Sequence, residues 1–219
     1  MIISTMSYAE AYRDLERERE QATRWWMHQL RALRRTVLKN RNPWPLVVWH
    51  EWQSPGKNRY LFLVRIFDKR MSKMVSSIAV VANLDGGLTV FTSWPSRHCP
   101  LFPMVMLPHA WARYRERTGC IETGEALVRR YFERNPSGQH SRNQKSVGRS
   151  VRYNGMEHLS CCVPDGVLLG QMVEGIYVVR TFITYDMAHG LQAEDFEYNR
   201  QYIEGDRELY ELAKMGYII

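Results

Sequence analysis

No apolar run in this 219-residue chain approaches the ~18 residues that a membrane-spanning helix needs, which sets aside an integral helical membrane protein. The opening, MIISTMSYAEAYRDLE, has neither the basic n-region nor the apolar h-region of a secretory signal, so a cytoplasmic protein is expected. Cysteine is scarce. The four present, Cys99, Cys120, Cys161 and Cys162, show no CxxC spacing, which excludes a disulfide framework or a zinc ribbon and predicts free buried thiols. His98, Cys99, His158 and Cys161 do not fall at metal-ligand spacing, so no metal site is expected. A nucleotide-binding glycine loop, a nucleophile elbow, an HExxH helix and a paired-carboxylate motif are all missing, and no cofactor is expected.

What is present is a globular composition, 45% hydrophobic and 12% aromatic, enough for one composite core or two small ones. The pattern predicts an α+β fold of two regions, residues 1–100 and 101–219, that together read as one composite domain. Ser7 with Glu10 three residues on forms a capping box, and no Gly or Pro interrupts the chain before Asn42, Pro43 and Pro45. A long helix is therefore expected over Ser7 to Lys39. Its YRDLEREREQATR portion has mixed charge of the solvated kind, while Trp25, Trp26, Leu30, Leu33 and Val37 supply a packing stripe.

Two antiparallel hairpins should follow, Leu46–Gln53 with Tyr60–Phe67 and Ser76–Asn83 with Leu88–Ser93, on either side of Gly-containing turns. His50, among tryptophans on a strand, reads as a packed and hydrogen-bonded residue. After a Pro-rich link (Pro95, Pro100, Pro103, Pro108) come two helices, one from Pro108 to Gly119 and one over about Thr123 to Arg134. The polar segment GQHSRNQKSVGRSVRYNG is too poor in apolar residues to fold alone and is expected to be a loop. A three-stranded antiparallel meander, Leu159–Val163, Val167–Val173 and Ile176–Thr184, precedes an acidic tail that reads as helix packing on the body. In its last strand, alternation puts Tyr177, Val179, Thr181 and Ile183 on one face and Val178, Arg180, Phe182 and Thr184 on the other.

The chemistry-bearing pattern lies between Leu107 and Asn135. His109, Arg113 and Arg117 recur at four-residue spacing, which places them within an arc about 80° wide on a helix. One imidazole and two guanidiniums on one face fit a phosphate, and His109 in the first turn lies at the positive end of the helix dipole. Glu116 on the same helix is the competing partner, and if it pairs with this face the face is an ordinary solvated one. Charge points the same way as the pattern: the chain is +7 with a pI near 9.3, and Met106–Tyr153 holds ten Lys/Arg against four acids, a balance of 10 − 4 = +6. Concentrated positive charge attracts polyanions, so nucleic acid, RNA foremost, is the expected partner, with Arg129, Arg130, Arg142 and Lys145 as further phosphate contacts.

The order LPHAWARYRERTG, a helix, YFERNP, then DGVLLGQ and VVRTFITYD resembles the small metal-independent nucleases grouped as barnase/EndoU/RelE-like (BECR), including versions from phages and other mobile elements. It extends from about Leu107 to Met187. The resemblance implies that His109 and Arg113 on the helix converge with Arg180 or Thr181 of the last strand on a scissile phosphate. His109 would exchange the proton, Arg113 would stabilise developing charge and Thr181 would position a phosphate oxygen, with no metal because the 2′-hydroxyl is the nucleophile. A toxin or mobile-element effector of this kind would have an inhibitor protein as partner. The chain departs from the pattern in lacking an evident second base, His140 and Glu157 standing in weak context. Two other classes stay open: a non-catalytic nucleic-acid or phosphate-binding accessory protein, and a protein-interaction module working through its Trp-rich helix.

Overall fold

The computed structural model describes residues 1–41, 44–71, 74–84, 86–93, 104–136, 139–140, 158–190, 193–201 and 203–204. The fold is α+β, and the chain divides into two compact units, one from Met1–Gly86, Phe91–Leu101 and Glu208–Ile219, the other from Gly87–Val90 and Phe102–Arg207. No helix among the described residues is long and apolar enough to cross a membrane.

In the first unit, α1 (Tyr8–Lys39) begins at the expected capping box: the Glu10 N–H donates to Ser7 Oγ and the Ser7 N–H donates to the Glu10 carboxylate. Its buried residues, Ala11, Leu15, Ala22, Trp26, Leu33 and Val37, repeat every eleven positions in two sets. Eleven residues are almost three whole turns, so the stripe runs straight down one side of the helix. The helix lies on β1 (Leu46–Gln53) and β2 (Arg59–Ile66). Trp26 stacks on Phe62 with ring centroids 4.9 Å apart, Trp25 stacks on Trp52 at 6.0 Å, and His50 sits edge-on between the two tryptophans. Burial holds the His50 imidazole below its ordinary pKa; the ring is packed as the surrounding tryptophans imply, but its buried Nε2 lacks the expected hydrogen bond among the described residues.

Polar contacts fix the register of helix on hairpin. Glu18 accepts from Ser54 Oγ at 2.7 Å, from Asn58 Nδ2 at 3.0 Å and from the Tyr60 hydroxyl at 3.0 Å, and a β-carbon at Gly56 would run into its carboxylate. β3 (Met74–Leu84) pairs antiparallel with the other edge of β2, so the expected hairpins join into a meander. β4 (Gly87–Ser93) contributes Gly87–Val90 to the second unit and its remainder to the first, where Thr92 Oγ1 donates to the Ile78 carbonyl at 2.9 Å.

The second unit departs from an all-antiparallel reading. A three-residue strand, β5 (Met104–Met106), pairs parallel with β9 (Ile176–Ile183), and β9 continues antiparallel to β8 (Gly166–Val173), β7 (His158–Val163) and β6 (Gln139–His140), so the sheet is mixed. β6 corrects the loop reading at its first residues: Gln139 and His140 align with Cys162 and Cys161, because an edge strand needs only backbone N–H and C=O groups and no apolar side chains. The rest of that segment, residues 138 and 141–155, lies outside the described residues.

The helices α2 (Pro108–Thr118) and α3 (Gly124–Arg134) match their expected limits, with Gly119 at φ 66° closing α2 in the left-handed region. Trp111, Tyr114, Tyr131, Phe132 and Phe182 form an edge-to-face cluster that joins α2, α3 and β9, with centroids 5.0–6.3 Å apart. Cys120, Cys161 and Cys162 are buried free thiols, and burial pushes Cys162 up to about 12. The tail is helical over residues 193–201, and Phe196 and Ile203 pack with Cys162 and Val167; residues 205–219 lie outside the described residues.

Candidate functional site

The start of α2 is built by the strand before it. β5 delivers the chain alongside β9, Leu107 N–H donates to the Val179 carbonyl at 3.2 Å, and Pro108 then sets the helical φ. Leu107 as N-cap offers no side-chain acceptor, Pro108 has no N–H, and the Ala110 and Trp111 N–H groups donate to the Leu107 carbonyl at 3.0 and 3.3 Å, which leaves the His109 N–H as the open donor of the first turn. His109 is in this turn, exposed, and without a partner among the described residues.

Across the Leu107–Val179 bond lies an irregularity. Leu169 pairs with Thr181 and the next residue of β8, Gly170, pairs with Val179, so β9 carries one residue too many and Arg180 is bulged out of the ladder. A β-carbon at Gly170 would overlap the Val178 carbonyl, which is why glycine faces the bulge. The expected alternation of β9 therefore fails at Arg180: Ile176 to Val179 are all buried, Arg180 is exposed, Thr181 is half-buried and Phe182 is buried again. Like His109, Arg180 has no partner among the described residues. The backbone thus brings the positions of His109 and Arg180 to the two sides of one hydrogen bond.

Four of the other basic residues expected at the site are engaged elsewhere. Arg113 forms an ion pair with Glu116 at 2.6 Å on the exposed flank of α2. Arg117 turns inward instead and donates through Nη1 to the Phe182 carbonyl of β9, which makes it a tether of helix to strand. Arg129 pairs with Glu125 at 2.8 Å and Arg130 lies 3.9 Å from Glu122. Arg142 and Lys145 lie outside the described residues.

A polar cluster that sequence reading passed over sits behind this face. Asp165, in the Pro164-Asp165-Gly166 turn between β7 and β8, accepts from the Tyr114 hydroxyl at 2.6 Å, from Arg134 Nε and Nη2 at 3.1 and 2.8 Å, and from Asn135 Nδ2 at 3.0 Å. Its own N–H donates to Asn135 Oδ1 at 3.0 Å. Burial and the Asp165 carboxylate hold the Tyr114 phenol far above its ordinary pKa, so it stays a donor, and the same carboxylate raises Arg134. The carboxylate is saturated by these donors, and its chemistry is to pin α3 and α2 to the β7–β8 turn. Among the described residues no three His, Cys, Asp or Glu side chains gather in a way that could hold a metal ion. Comparison with models of known protein families, with characterised proteins and with solved structures gave no match for this chain.

Proposed function

We propose that the second unit binds a phosphate-bearing polyanion, RNA foremost, at the start of α2. The observation that carries this reading is the Leu107–Val179 bond, which joins an uncapped helix N-terminus to a bulged strand and puts exposed, unpartnered His109 and Arg180 on its two sides. The open His109 N–H at the positive end of the helix and a guanidinium are complementary to a phosphate, and imidazole is the side chain of the set that exchanges a proton near neutral pH. Arg113 joins them at small cost, because its pair with Glu116 is a surface one worth at most about 1 kcal/mol. Arg117 leaves the contacting set, since its donor group is committed to β9.

The activity this arrangement supports is metal-independent RNA cleavage of the BECR kind, with His109 moving the proton of the 2′-hydroxyl or of the leaving 5′-oxygen, Arg180 and Arg113 stabilising charge on the phosphorane, and Thr181 orienting an oxygen. Non-catalytic RNA binding is the second reading. It draws on the pairing of Arg113, Arg129 and Arg130 with carboxylates and of Arg117 with a carbonyl.

One experiment separates the two. On labelled RNA in EDTA, cleavage predicts a product ending in a 2′,3′-cyclic phosphate and a rate that falls by about 10² to 10⁴ in His109→Ala with affinity nearly unchanged. RNA that is bound but left whole, with or without divalent metal, removes the nuclease reading and leaves the binder. Wild-type affinity carried over intact into an Arg180→Ala, His109→Ala double variant removes the site itself.

A further inference from the structure

The second half of α1 carries a charge pattern unlike its first. Residues 21–50 contain six Lys/Arg (Arg24, Arg31, Arg34, Arg35, Lys39, Arg41) and no acid. On the helix, Arg24, His28, Arg31, Arg35 and Lys39 fall within an arc about 80° wide and extend along about 22 Å of axis. All five are exposed, and they lie opposite the buried stripe of Ala22, Trp26, Leu33 and Val37. Arg24 approaches Glu20 at 3.9 Å; Arg31, Arg34, Arg35 and Lys39 have no acidic partner among the described residues.

We infer that this stripe is a nucleic-acid binding surface in the first unit, independent of the site proposed on α2, and that it holds the phosphate backbone without reading bases. The argument rests on charge complementarity along a line. Like charges repeated at i and i+4 repel each other, so the row is unfavourable to the isolated helix and is relieved by an evenly charged polyanion laid beside it. A duplex presents about one phosphate per 1.7 Å of axis, or about thirteen along the stripe, enough for every basic side chain to find one. An anionic membrane fits less well. Surface-binding helices insert an apolar face, and the apolar face of α1 is already buried on β1 and β2, which leaves only Met27 and Leu38 exposed beside the charges. An acidic protein segment would match the sign of the stripe but not its length and even spacing.

The test is fluorescence anisotropy of the full chain with a labelled RNA duplex longer than the stripe and with a single-stranded RNA, over about 50 to 200 mM salt. With four phosphates held by Arg24, Arg31, Arg35 and Lys39, the log–log salt slope contributed by the stripe is about −3.6 on duplex and about −2.8 on single strand, so the two RNA forms are told apart by slope. Arg31→Glu, Arg35→Glu should lower affinity at least tenfold at the low-salt end and flatten the duplex slope by about 2, while Arg31→Gln, Arg35→Gln gives an intermediate loss. These positions are exposed, and circular dichroism of each variant should match the parent. A glutamate-reversed protein that binds both RNAs like the parent overturns the inference. So does tighter capture of anionic-lipid vesicles or poly-glutamate than of either RNA. The His109→Ala, Arg180→Ala variant keeps the two sites separate: binding lost there and retained in the glutamate-reversed protein removes the α1 surface and leaves the α2 site, and the opposite result does the reverse.

Discussion

Two stretches of this chain are rich in arginine and use it in opposite ways. In the second unit, five of the six described Lys/Arg between Met106 and Tyr153 are engaged: Arg113 with Glu116, Arg117 with the Phe182 carbonyl, Arg129 with Glu125, Arg130 with Glu122 and Arg134 with Asp165. In the second half of α1, Arg31, Arg34, Arg35 and Lys39 face solvent with no such partner among the described residues. The local excess is the same, 10 − 4 = +6 over Met106–Tyr153 and 6 − 0 = +6 over residues 21–50, yet the described charge of the first stretch is mostly held by a carboxylate or carbonyl. Net charge over a window counts residues. The field a ligand meets depends on how many of those charges have already been answered by a carboxylate or carbonyl within reach.

The sharpest way to break this contrast is to remove an acceptor from the engaged set. Asp165→Ala takes the common acceptor from Tyr114, Arg134 and Asn135, and leaves the buried Tyr114 hydroxyl and the Arg134 guanidinium without it while Asn135 Nδ2 keeps the Tyr131 carbonyl. A loss of about 3 kcal/mol is expected in denaturant unfolding, at the low end for a broken buried pair because Arg134 is partly exposed. Asp165→Asn should recover part of it, since an amide oxygen still accepts. A loss under about 0.5 kcal/mol, the level of an ordinary surface change, would show that the cluster is not what pins α3.

Arg117→Ala comes next, at about 1 to 2 kcal/mol, because one charge-assisted hydrogen bond to the Phe182 carbonyl is lost from a half-buried position. The more discriminating readout is RNA affinity at matched salt. As a tether, Arg117 should leave it within about twofold, whereas loss of one backbone contact lowers the single-strand salt slope by about 0.7. A slope that falls by that amount would return Arg117 to the ligand-contacting set.

How far these roles were legible follows from where their causes lie. The helix ends were readable because the causes are local: Ser7 and Glu10 are three residues apart, and Gly119 closes α2 with its own φ. The meander strands were readable from their turns. β5 was not, since Met104, Val105 and Met106 sit in a proline-rich stretch and pair with residues more than seventy positions later, a partnership that no local pattern announces. The Arg180 bulge had one signal, Gly170 in the interior of a strand run, which marks bulges and close backbone approach. Asp165 had none, because every donor on its carboxylate comes from thirty or more residues away and its own neighbours describe only a turn. Within the candidate site, spacing placed His109, Arg113 and Arg117 on one helix but could not say which would turn to solvent and which to β9.

The smallest effect has the opposite sign and tests the other side of the contrast. Arg35 stands four residues from both Arg31 and Lys39 on an exposed helix face, with no acid among residues 21–50 to offset them. Its charge therefore costs the helix stability. Each like-charge pair at that spacing is unfavourable by about 0.2 to 0.5 kcal/mol, and glutamine keeps nearly the same helix propensity. Arg35→Gln should then stabilise the protein by about 0.5 kcal/mol at low ionic strength, and the gain should vanish near 1 M salt, where the screening length falls to about 3 Å. The check is the denaturant midpoint of parent and variant at both salt concentrations. A variant less stable than its parent at low salt would mean that Arg35 is answered by an acceptor of its own, and the two arginine-rich stretches would no longer differ.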